Sequence, residues 1–353
     1  MSKISEVTEL NAFDELCMRR CIQLAMNAPR TTSPNPMVGA IIVYKGHIIG
    51  EGYHIRSGEG HAEVNAINSV KEKSFLKEST IYVSLEPCSH YGKTPPCSKL
   101  IIEQQIPRVV IGCVDPFAKV HGQGILMLKN AGIDVTVGVL ENECKDLNKK
   151  FITSQSKQRP YITLKWAASS DGFIDQEREG GKPVVFSSQH MNMLIHKMRS
   201  ENDAIFVGTR TALLDDPSLT VRNWYGPNPL RIVIDRKLSL PKNLSLFDKQ
   251  VETFVYTEEH RDDESKLHYV SLEPEKDLLP QILADLSTRS IRSVLVEGGT
   301  QLLQSFIDND IWDEAFVEKS NIALKTGVRE PQIQGSLKIE QVFGINISHY
   351  IHI

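Results

Sequence analysis

The chain has 353 residues, of which 41% are hydrophobic and 24% are charged, and its formal net charge is −4. This composition is ordinary for a soluble globular protein and excludes disordered and collagen-like chains, while the length predicts two domains of roughly 100 to 200 residues each. The slightly acidic balance gives no general attraction to phosphate backbones. A small-molecule substrate is therefore favoured over a nucleic acid.

No segment has the pattern of an exported or membrane-bound protein. The apolar stretches, such as residues 37–44, are far shorter than the roughly 20 residues that span a bilayer. Residues 1–6 lack the basic flank and apolar core of a signal peptide. Six cysteines in a chain of this length do not form a dense disulfide framework. We therefore expect a soluble, cytoplasmic protein with no membrane partner.

The first half alternates amphipathic helices with apolar strands. The apolar face of the first predicted helix includes Cys17 and Cys21, which packing explains, and Cys113 and Cys144 are also interpreted as structural. Lys45-Gly46 separates two apolar runs and predicts a β-hairpin. The predicted helices cover residues 13–28, 61–71 and 124–130, and the predicted strands cover residues 37–43, 47–52, 81–85, 109–114 and 133–139. This order predicts a three-layer α/β/α arrangement around a central sheet.

One motif in this half carries metal chemistry. His61-Ala62-Glu63 is followed by Pro87-Cys88 and then by Cys97. One imidazole and two thiolates leave a fourth tetrahedral position open for water, as catalytic zinc sites do. Zinc lowers the pKa of such a water to about 7, and a carboxylate that is not a ligand can carry its proton to a departing amine. We predict that His61, Cys88 and Cys97 bind Zn²⁺ and that Glu63 is the proton carrier of a deaminase.

The cysteine spacing departs from the usual signature of nucleobase deaminases. That signature has two residues between its cysteines, whereas eight separate Cys88 from Cys97. Glycine and prolines in residues 89–96 make a long, tight loop plausible. Two other interpretations stay open: ordinary buried thiols, or a structural zinc site that His90 closes as fourth ligand. Both metal-binding segments are predicted to begin at helix starts, where free amides and the helix dipole stabilise thiolates.

The second half forms a domain of its own. Polar residues 148–160 predict a linker, which places the domains at residues 1–150 and 151–353. Gly298-Gly299 follows a buried strand and precedes a helix, an arrangement that lets the backbone approach a phosphate, although such a pair alone is more often a simple turn. The predicted strands cover residues 161–167, 204–207, 230–234 and 293–297, and the predicted helices cover residues 189–200 and 299–306.

Several ordered motifs resemble one known family over nearly the whole chain. They are residues 33–39, 61–63, 85–97, 115–116, 122–125, 159–165, 167–172, 211–222 and 296–299. With them the chain resembles the bifunctional riboflavin biosynthesis proteins, in which a pyrimidine deaminase is fused to a 5-amino-6-(5-phosphoribosylamino)uracil reductase. The eight-residue cysteine interval is typical of that family. The resemblance implies a three-layer, cytidine-deaminase-like α/β/α domain followed by a dihydrofolate-reductase-like α/β domain.

The resemblance also implies two reactions and their ligands. The first domain, with one Zn²⁺, would deaminate 2,5-diamino-6-ribosylamino-4(3H)-pyrimidinone 5′-phosphate, and the second would use NADPH to reduce the ribosyl group of the uracil product to ribityl. Family members are often homo-oligomers, which we expect here by analogy. The implied substrate-binding residues are Asn35, His54, Lys165, Arg199, Leu219, Arg222 and Glu297. The implied cofactor-binding residues are Ala167, Thr211, Asp215, Gly299, Thr300, Gln301, Leu302, Leu303, Gln304 and Ser305.

The reductase half departs from the family pattern at two places. The segment Pro183-Val184-Val185-Phe186-Ser187 lacks the tryptophan that the family often has there, and Arg236 stands where a serine is common. Arg236 would either pair with the 2′-phosphate of the cofactor or face solvent. These departures leave one rival function open, a deaminase whose second domain binds nucleotide but turns over poorly. A zinc-containing structural module and a nucleic-acid base editor are the other rivals.

Overall fold

The computed structural model of the protein describes residues 3–91, 95–116 and 121–352. Its contacts divide the chain into two compact units, Met1–Gln158 and Arg159–Ile353. The domains predicted from the sequence meet eight residues earlier, at residues 150 and 151. In the described ranges, no helix combines the length and the apolar character needed to cross a bilayer. Residues 92–94, in the middle of the predicted loop between the two cysteines, lie outside the described ranges.

The N-terminal unit contains a five-stranded sheet with strand order β2-β1-β3-β4-β5. Its strands are β1 (Gly39–Tyr44), β2 (His47–Tyr53), β3 (Thr80–Leu85), β4 (Arg108–Cys113) and β5 (Asp134–Val137). Its helices are α1 (Lys3–Ala25), α2 (Ala62–Ser69), α3 (Cys97–Glu103), α4 (Gln123–Asn130), α5 (Glu141–Leu147) and α6 (Lys149–Ser156). The β1–β2 and β1–β3 pairs are antiparallel, and β3, β4 and β5 are parallel.

Alternate side chains of these strands enter two separate cores. On one face, Ile42 and Ile111 pack with residues of α2, α3 and α4. On the other face, Ile41 and Val110 pack with residues of α1 and α5. The period of two along each strand sends neighbouring residues to opposite faces, so a sheet covered on both sides follows from nearly continuous apolar strands. The three-layer prediction is confirmed.

The turn between β1 and β2 confirms the predicted hairpin. Lys45 and Gly46 both have positive φ, 48° and 78°, as the preferred two-residue hairpin turn requires. Gly39, at the start of β1, lies directly under α1, and a Cβ atom there would be 2.0 Å from the carbonyl oxygen of Cys21. The absence of a side chain at Gly39 thus sets how closely α1 approaches the sheet.

The C-terminal unit contains a nine-stranded mixed sheet with strand order β11-β10-β9-β8-β12-β6-β13-β16-β15, and β7 pairs with β14 apart from it. The strands are β6 (Tyr161–Ala168), β7 (Phe173–Asp175), β8 (Ala204–Val207), β9 (Leu230–Ile234), β10 (Thr253–Thr257), β11 (Leu267–Ser271), β12 (Ser293–Glu297), β13 (Glu314–Lys319), β14 (Val328–Arg329), β15 (Ser336–Val342) and β16 (Ile345–Ile351). The helices are α7 (Gln189–Ser200), α8 (Thr209–Asp215), α9 (Leu278–Thr288) and α10 (Thr300–Asp308).

Most of this sheet is parallel, and its centre is covered on both faces. Leu164, Val296 and Phe206 pack with α9 and α10, whereas Ile205 and Val233 belong to a second core that includes Ala212 of α8. Strands β8, β12, β6 and β13 run in the same direction. Their carboxyl ends therefore lie along one edge, where open α/β sheets bind their ligands.

Some local predictions differ from the structure. The boundary between the two units lies inside the predicted linker of residues 148–160, but α6 makes residues 149–156 helical and buries Thr153 and Ser154. The first helix ends at Ala25, three residues earlier than predicted. Strands β7, β10 and β11 and the strands after residue 313 were not predicted; β15, for example, is almost entirely exposed and lacks the apolar run of a buried strand.

We predict that Gly39→Ala destabilises the N-terminal unit by about 1–3 kcal/mol, the usual cost of overpacking. All three tryptophans, Trp166, Trp224 and Trp312, belong to the C-terminal unit. In urea unfolding, far-UV circular dichroism should therefore detect a destabilised component that tryptophan fluorescence does not. Gly180→Ala is the control, since no atom lies within 4 Å of the added Cβ. Equal midpoints for the two variants by circular dichroism would contradict the close approach of α1.

Candidate active sites

Three predicted metal ligands meet in the N-terminal unit. Nδ1 of His61 lies 3.6 Å from Sγ of Cys88 and 3.4 Å from Sγ of Cys97. Zinc bonds of about 2.3 Å to sulfur and 2.0–2.1 Å to nitrogen, at tetrahedral angles, separate N and S by about 3.5 Å. The donor atoms thus already have the spacing that a tetrahedral zinc ion requires.

The ligand set has three members. In residues 3–91, 95–116 and 121–352, no fourth histidine, cysteine or carboxylate has a ligand atom within 4.8 Å of all three, and His90 is outside the group. A structural site would use a fourth protein ligand, whereas a catalytic site keeps that position for water. The arrangement fits a catalytic zinc ion better than a closed structural one.

Helix α3 begins at the metal site, but only one cysteine belongs to it. Cys97 is its first residue, whereas Cys88 lies in the loop after β3, so the prediction that both segments begin at helix starts is wrong for Cys88. The Cys88 sulfur nevertheless accepts a hydrogen bond of 3.2 Å from the backbone N–H of Cys97. A hydrogen bond from the Cys97 side chain is the main reason that the pKa of Cys88 falls to about 4, and the backbone N–H of Cys97 adds to it, so this thiol ionises readily.

Glu63 is on the first turn of α2, two residues after His61, and is 3% exposed. Burial raises the pKa of its carboxyl to about 7. A carboxyl group with a pKa near 7 can both take and return a proton near neutral pH. Glu63 also interacts with the Cys97 side chain, which places it beside the ligand set without making it a ligand.

Asn35 and His54, the two predicted substrate residues of this unit, lie together next to His61. Nδ1 of His54 is 3.1 Å from the carbonyl oxygen of Gly60, which can only accept, so this nitrogen carries the proton. Nε2 of His54 is then the acceptor for the Asn35 amide at 3.4 Å. The His54 and His61 rings meet edge to face, with centroids 5.4 Å apart. Burial lowers the pKa of His54, which favours the neutral form.

Glu86, which the sequence analysis left without a role, holds the loop that carries Cys88. Its buried carboxylate accepts hydrogen bonds from the backbone N–H groups of Gly122 and Gly124, both at 2.9 Å, and of Asp115 and Ile125, both at 3.3 Å. A Cβ at Gly124 would lie 2.0 Å from the carbonyl oxygen of Pro87. The start of α4 is thereby fixed against the Cys88 loop. A glutamate directly before Pro-Cys was the available signal in the sequence.

The C-terminal unit has a cavity of about 960 Å³ at the carboxyl ends of its parallel strands. Such a volume accommodates a ligand of cofactor size. The predicted residues that line it are Lys165, Ala167, Arg199, Thr211, Asp215, Leu219, Arg222, Glu297, Gly299, Thr300 and Gln301. The substrate and cofactor residues predicted for this half are thus largely brought together around one cavity.

Four predicted cofactor residues do not line this cavity. Leu302 and Leu303 are buried in the core beneath α10. Gln304 bonds with Asp308 and with the backbone of Gln332, and the Ser305 hydroxyl donates to the carbonyl of Leu302 at 2.7 Å. The helical period places these side chains away from Gly299 and Thr300, which begin the helix at the cavity wall.

A charge pair lies at the centre of the cavity wall. Arg199 donates two parallel hydrogen bonds to the Glu297 carboxylate, of 2.9 Å and 2.6 Å. Burial opposes ionisation of Glu297, but Arg199 and Lys165 outweigh it and keep its pKa below the usual value. Paired hydrogen bonds fix the guanidinium plane, so Arg199 is held in one orientation.

Arg222 and His196 form the neighbouring part of the wall. The backbone N–H of Arg222 donates to Nδ1 of His196 at 2.9 Å, and its guanidinium donates to the Thr220 hydroxyl at 2.9 Å. Burial, reinforced by Arg199 and Arg222, lowers the pKa of His196 to about 4. His196 is a cavity residue that the sequence analysis missed, although it is one helical turn before Arg199 and shares its face.

The glycine pair and Arg178 complete the site. Gly298 and Gly299 have positive φ, 98° and 78°, and a Cβ at Gly298 would lie 3.0 Å from the Thr211 side chain. Arg178 pairs with Asp175 and with Asp215. No periodic signal marks Arg178 in the sequence, because it belongs to an irregular segment.

Both departures from the family pattern can be located. Pro183, Val184, Val185, Phe186 and Ser187 all line the cavity, with Val185 72% exposed. Arg236 is not among the lining residues and pairs with Glu258. Of the two roles considered for Arg236, exposure to solvent is the one that describes it here, since its side chain is 56% exposed while it pairs with Glu258.

Fold and sites together define a class. A three-ligand zinc set with an adjacent buried glutamate, inside an α/β/α unit, defines a zinc-dependent deaminase. In this chain it is joined to an α/β unit with a cofactor-sized cavity at its strand ends. Residues 11–113 match the cytidine and deoxycytidylate deaminase zinc-binding region, and residues 160–318 match the RibD C-terminal domain.

Known relatives and solved structures are similar to this chain over most of its length. The riboflavin biosynthesis protein RibD of Aquifex aeolicus is 38% identical over 315 residues, 87% of each chain. A diaminohydroxyphosphoribosylaminopyrimidine deaminase/5-amino-6-(5-phosphoribosylamino)uracil reductase from Thermotoga maritima is 35% identical with a TM-score of 0.87, and RibD of Acinetobacter baumannii is 30% identical with a TM-score of 0.88. Each of these two alignments covers 97% of this chain and 99% of the other.

The chain belongs to the RibD family of riboflavin biosynthesis proteins. The predicted fold class is confirmed, with a cytidine-deaminase-like unit before a dihydrofolate-reductase-like one. The protein is a bifunctional enzyme, a zinc-dependent deaminase and an NADPH-dependent reductase.

We predict that His196 makes the stability of the C-terminal unit depend on pH. Its pKa is about 4 in the folded protein and about 6.5 when unfolded, so the unfolded chain binds more protons between these values. The free energy of unfolding should therefore decrease as the pH falls from 6.5 to 4, by up to about 3 kcal/mol. In His196→Asn, whose amide oxygen can still accept from Arg222, this decrease should be smaller.

Urea unfolding followed by tryptophan fluorescence at several pH values measures this difference. His260→Asn is the control, because the His260 side chain is 89% exposed and should leave the pH dependence unchanged. Identical pH dependence in wild type and His196→Asn would show that His196 is not held neutral by its surroundings.

Proposed function

We propose that the N-terminal unit deaminates a 2,5-diamino-6-ribosylamino-4(3H)-pyrimidinone 5′-phosphate and that the C-terminal unit reduces the ribosyl group of the resulting 5-amino-6-(5-phosphoribosylamino)uracil. The single observation that carries the deaminase proposal is the open three-ligand set next to Glu63. The cavity around Arg199 and Glu297 supports the reductase proposal. The chemistry named for the related Thermotoga maritima enzyme agrees with both reactions.

In the deaminase site we assign His61, Cys88 and Cys97 as metal ligands. A zinc ion held there supplies an activated water at neutral pH. Glu63 takes the proton from the attacking water and returns it to the departing amine, which its burial and raised pKa favour. Asn35, oriented by His54, presents its amide to the pyrimidine ring. The neutral tautomer of His54 keeps extra positive charge away from the metal ligands.

In the reductase site we assign the substrate to Lys165, Arg199, Leu219, Arg222 and Glu297. Bound NADPH supplies the hydride. We propose that Ala167, Thr211, Asp215 and residues 299–301 hold the cofactor, with Gly299 and Thr300 at the start of α10 next to a phosphate. Arg222, whose guanidinium has two hydroxyl partners among the described residues, Ser218 and Thr220, is the group best placed to bind the substrate phosphate.

We also propose a small-molecule ligand rather than a nucleic acid, since the chain has a net charge of −4. A cytoplasmic location suits the six free cysteines, two of which serve as thiolate ligands. Assembly into a homo-oligomer is proposed from the family likeness, and analytical ultracentrifugation measures it.

We predict that Glu63→Gln lowers the deamination rate by roughly 10²- to 10⁴-fold, the usual contribution of a general acid–base group. The variant should retain one zinc per chain, because Glu63 is not a ligand. Ammonia release and elemental analysis of the same preparation measure the two properties. Cys97→Ser should lose both zinc and activity. Unchanged turnover in Glu63→Gln would favour the structural-module interpretation of the zinc site.

We predict that wild-type protein converts the diaminopyrimidine phosphate to the uracil without NADPH and to the ribityl product with it. Arg199→Lys should lower the kcat/KM of NADPH oxidation by about tenfold or more, because an ammonium group cannot replace the two parallel hydrogen bonds to Glu297. Ammonia release by this variant should stay at the wild-type rate. Mass spectrometry identifies the products. Ammonia release by wild type with no NADPH consumption would support the rival in which the second domain only binds nucleotide.

A further inference from the structure

A second carboxylate, Glu318, lies beside Lys165 in the reductase unit. Lys165 is on β6, with β12 on one side and β13 on the other. Glu297 on β12 is directly opposite Lys165, and Glu318 on β13 is opposite Ala167, two residues along the strand. Since residues two apart point to the same face, all three side chains lie on one face of the sheet. Lys165 is thus between two acidic residues.

Glu318 is unusually placed for a carboxylate. It is 1% exposed, and in the described part of the chain its Oε1 has no hydrogen-bond partner. Its Oε2 accepts a hydrogen bond of 2.5 Å from the Ser187 hydroxyl. A buried carboxylate with an unsatisfied oxygen is costly unless a nearby positive charge offsets it. Lys165 is the positive charge on the same face of the sheet: burial lowers the pKa of its ammonium, while Glu297 and then Glu318 act in the opposite direction.

Lys165 itself lines the cavity, and within the described residues its ammonium donates no hydrogen bond to the protein. Its donors are therefore available to a ligand. Burial and the nearby Arg199 oppose a positive charge at Lys165, while Glu297 and Glu318 favour it. Glu297 already forms two hydrogen bonds to Arg199, so much of its charge is compensated elsewhere. Glu318, which has no cationic hydrogen-bond partner, is left as the carboxylate available to Lys165.

We propose that Ser187 and Glu318 form a positioning pair for the reductase site, in which the Ser187 hydroxyl orients the Glu318 carboxylate and this carboxylate keeps Lys165 charged and directed into the cavity toward the substrate. The proposal rests on the reductase function proposed above. It also gives a role to the segment of residues 183–187, where the chain departs from the family pattern. The charged groups that face Lys165 are Glu297 of β12, Glu318 of β13 and Arg199 of α7, with His196 beyond Arg199.

The test is the pH profile of kcat/KM for NADPH oxidation with the aminouracil substrate. Loss of the Glu318 charge should make Lys165 lose its proton at lower pH. In Glu318→Gln the basic limb of the profile should shift down by about one pH unit, which is about a tenfold loss of kcat/KM above the limb. Ser187→Ala should shift the basic limb in the same direction, but by less than Glu318→Gln does. Lys165→Arg should remove the limb, which assigns it to Lys165.

Controls separate this role from a purely structural one. Glu314→Gln removes another buried carboxylate from the same face of β13 but leaves Lys165 unaffected, so the limb should not move. Glu318→Asp should restore most of the wild-type profile. If Glu318→Gln does not fold, the pH profile of Ser187→Ala alone tests the positioning pair. Ser187 belongs to an irregular segment at the cavity wall, so this variant is expected to fold.

The outcomes are distinct. A basic limb that stays at the wild-type pH in folded Glu318→Gln and in Ser187→Ala, with or without a uniform loss of rate, overturns the positioning pair. Wild-type protein that consumes no NADPH overturns the proposed reductase function instead. Ammonia release should stay constant in every variant, and a parallel loss of deamination would mean that the substitutions act through general instability and would overturn the proposal.

Discussion

The deaminase site depends on bringing two cysteine sulfurs and one imidazole nitrogen within 4.8 Å of one another. Three separate elements supply these atoms: the residue before α2, the loop after β3 and the first residue of α3. The secondary structure of each element does not by itself bring these three ligand atoms together. They meet because β3 is central in the sheet, α2 and α3 pack on the same face of it, and both helices begin at the same edge.

Hydrogen bonds to backbone groups hold the segments next to the two cysteines. The Glu86 carboxylate accepts from four backbone N–H groups, and the Ser98 hydroxyl and backbone N–H both donate to the carbonyl of Cys88. Such bonds do not depend on which side chains occupy the rest of the loop. An interval of eight residues between the cysteines is therefore compatible with the same ligand geometry as a shorter one.

The zinc ligands could be predicted from the sequence because their chemistry is carried by residue type and order. The strands of the N-terminal sheet and strands β6, β8, β9 and β12 of the C-terminal sheet were predicted for a similar reason, since buried parallel strands are nearly continuous apolar runs. Residues such as Glu86, Arg178 and Glu318 could not be assigned a role in this way. Each acts through a partner distant in sequence, for example Ser187 and Glu318, which are 131 residues apart. The period of a helix or strand carries no information about such pairs.

The two sites also differ in the interactions that stabilise them, and this difference affects how well each site tolerates substitutions. The reductase cavity is organised by side-chain pairs between elements: Arg199 with Glu297, Arg178 with Asp175 and Asp215, and Ser187 with Glu318. Removing one partner leaves a buried charge or polar atom, which costs more than the pair contributes. A change in this half must therefore be matched by a second change across the cavity. The absence of a tryptophan in residues 183–187 is consistent with this requirement, because the same segment provides Ser187, the hydroxyl partner of a carboxylate on β13.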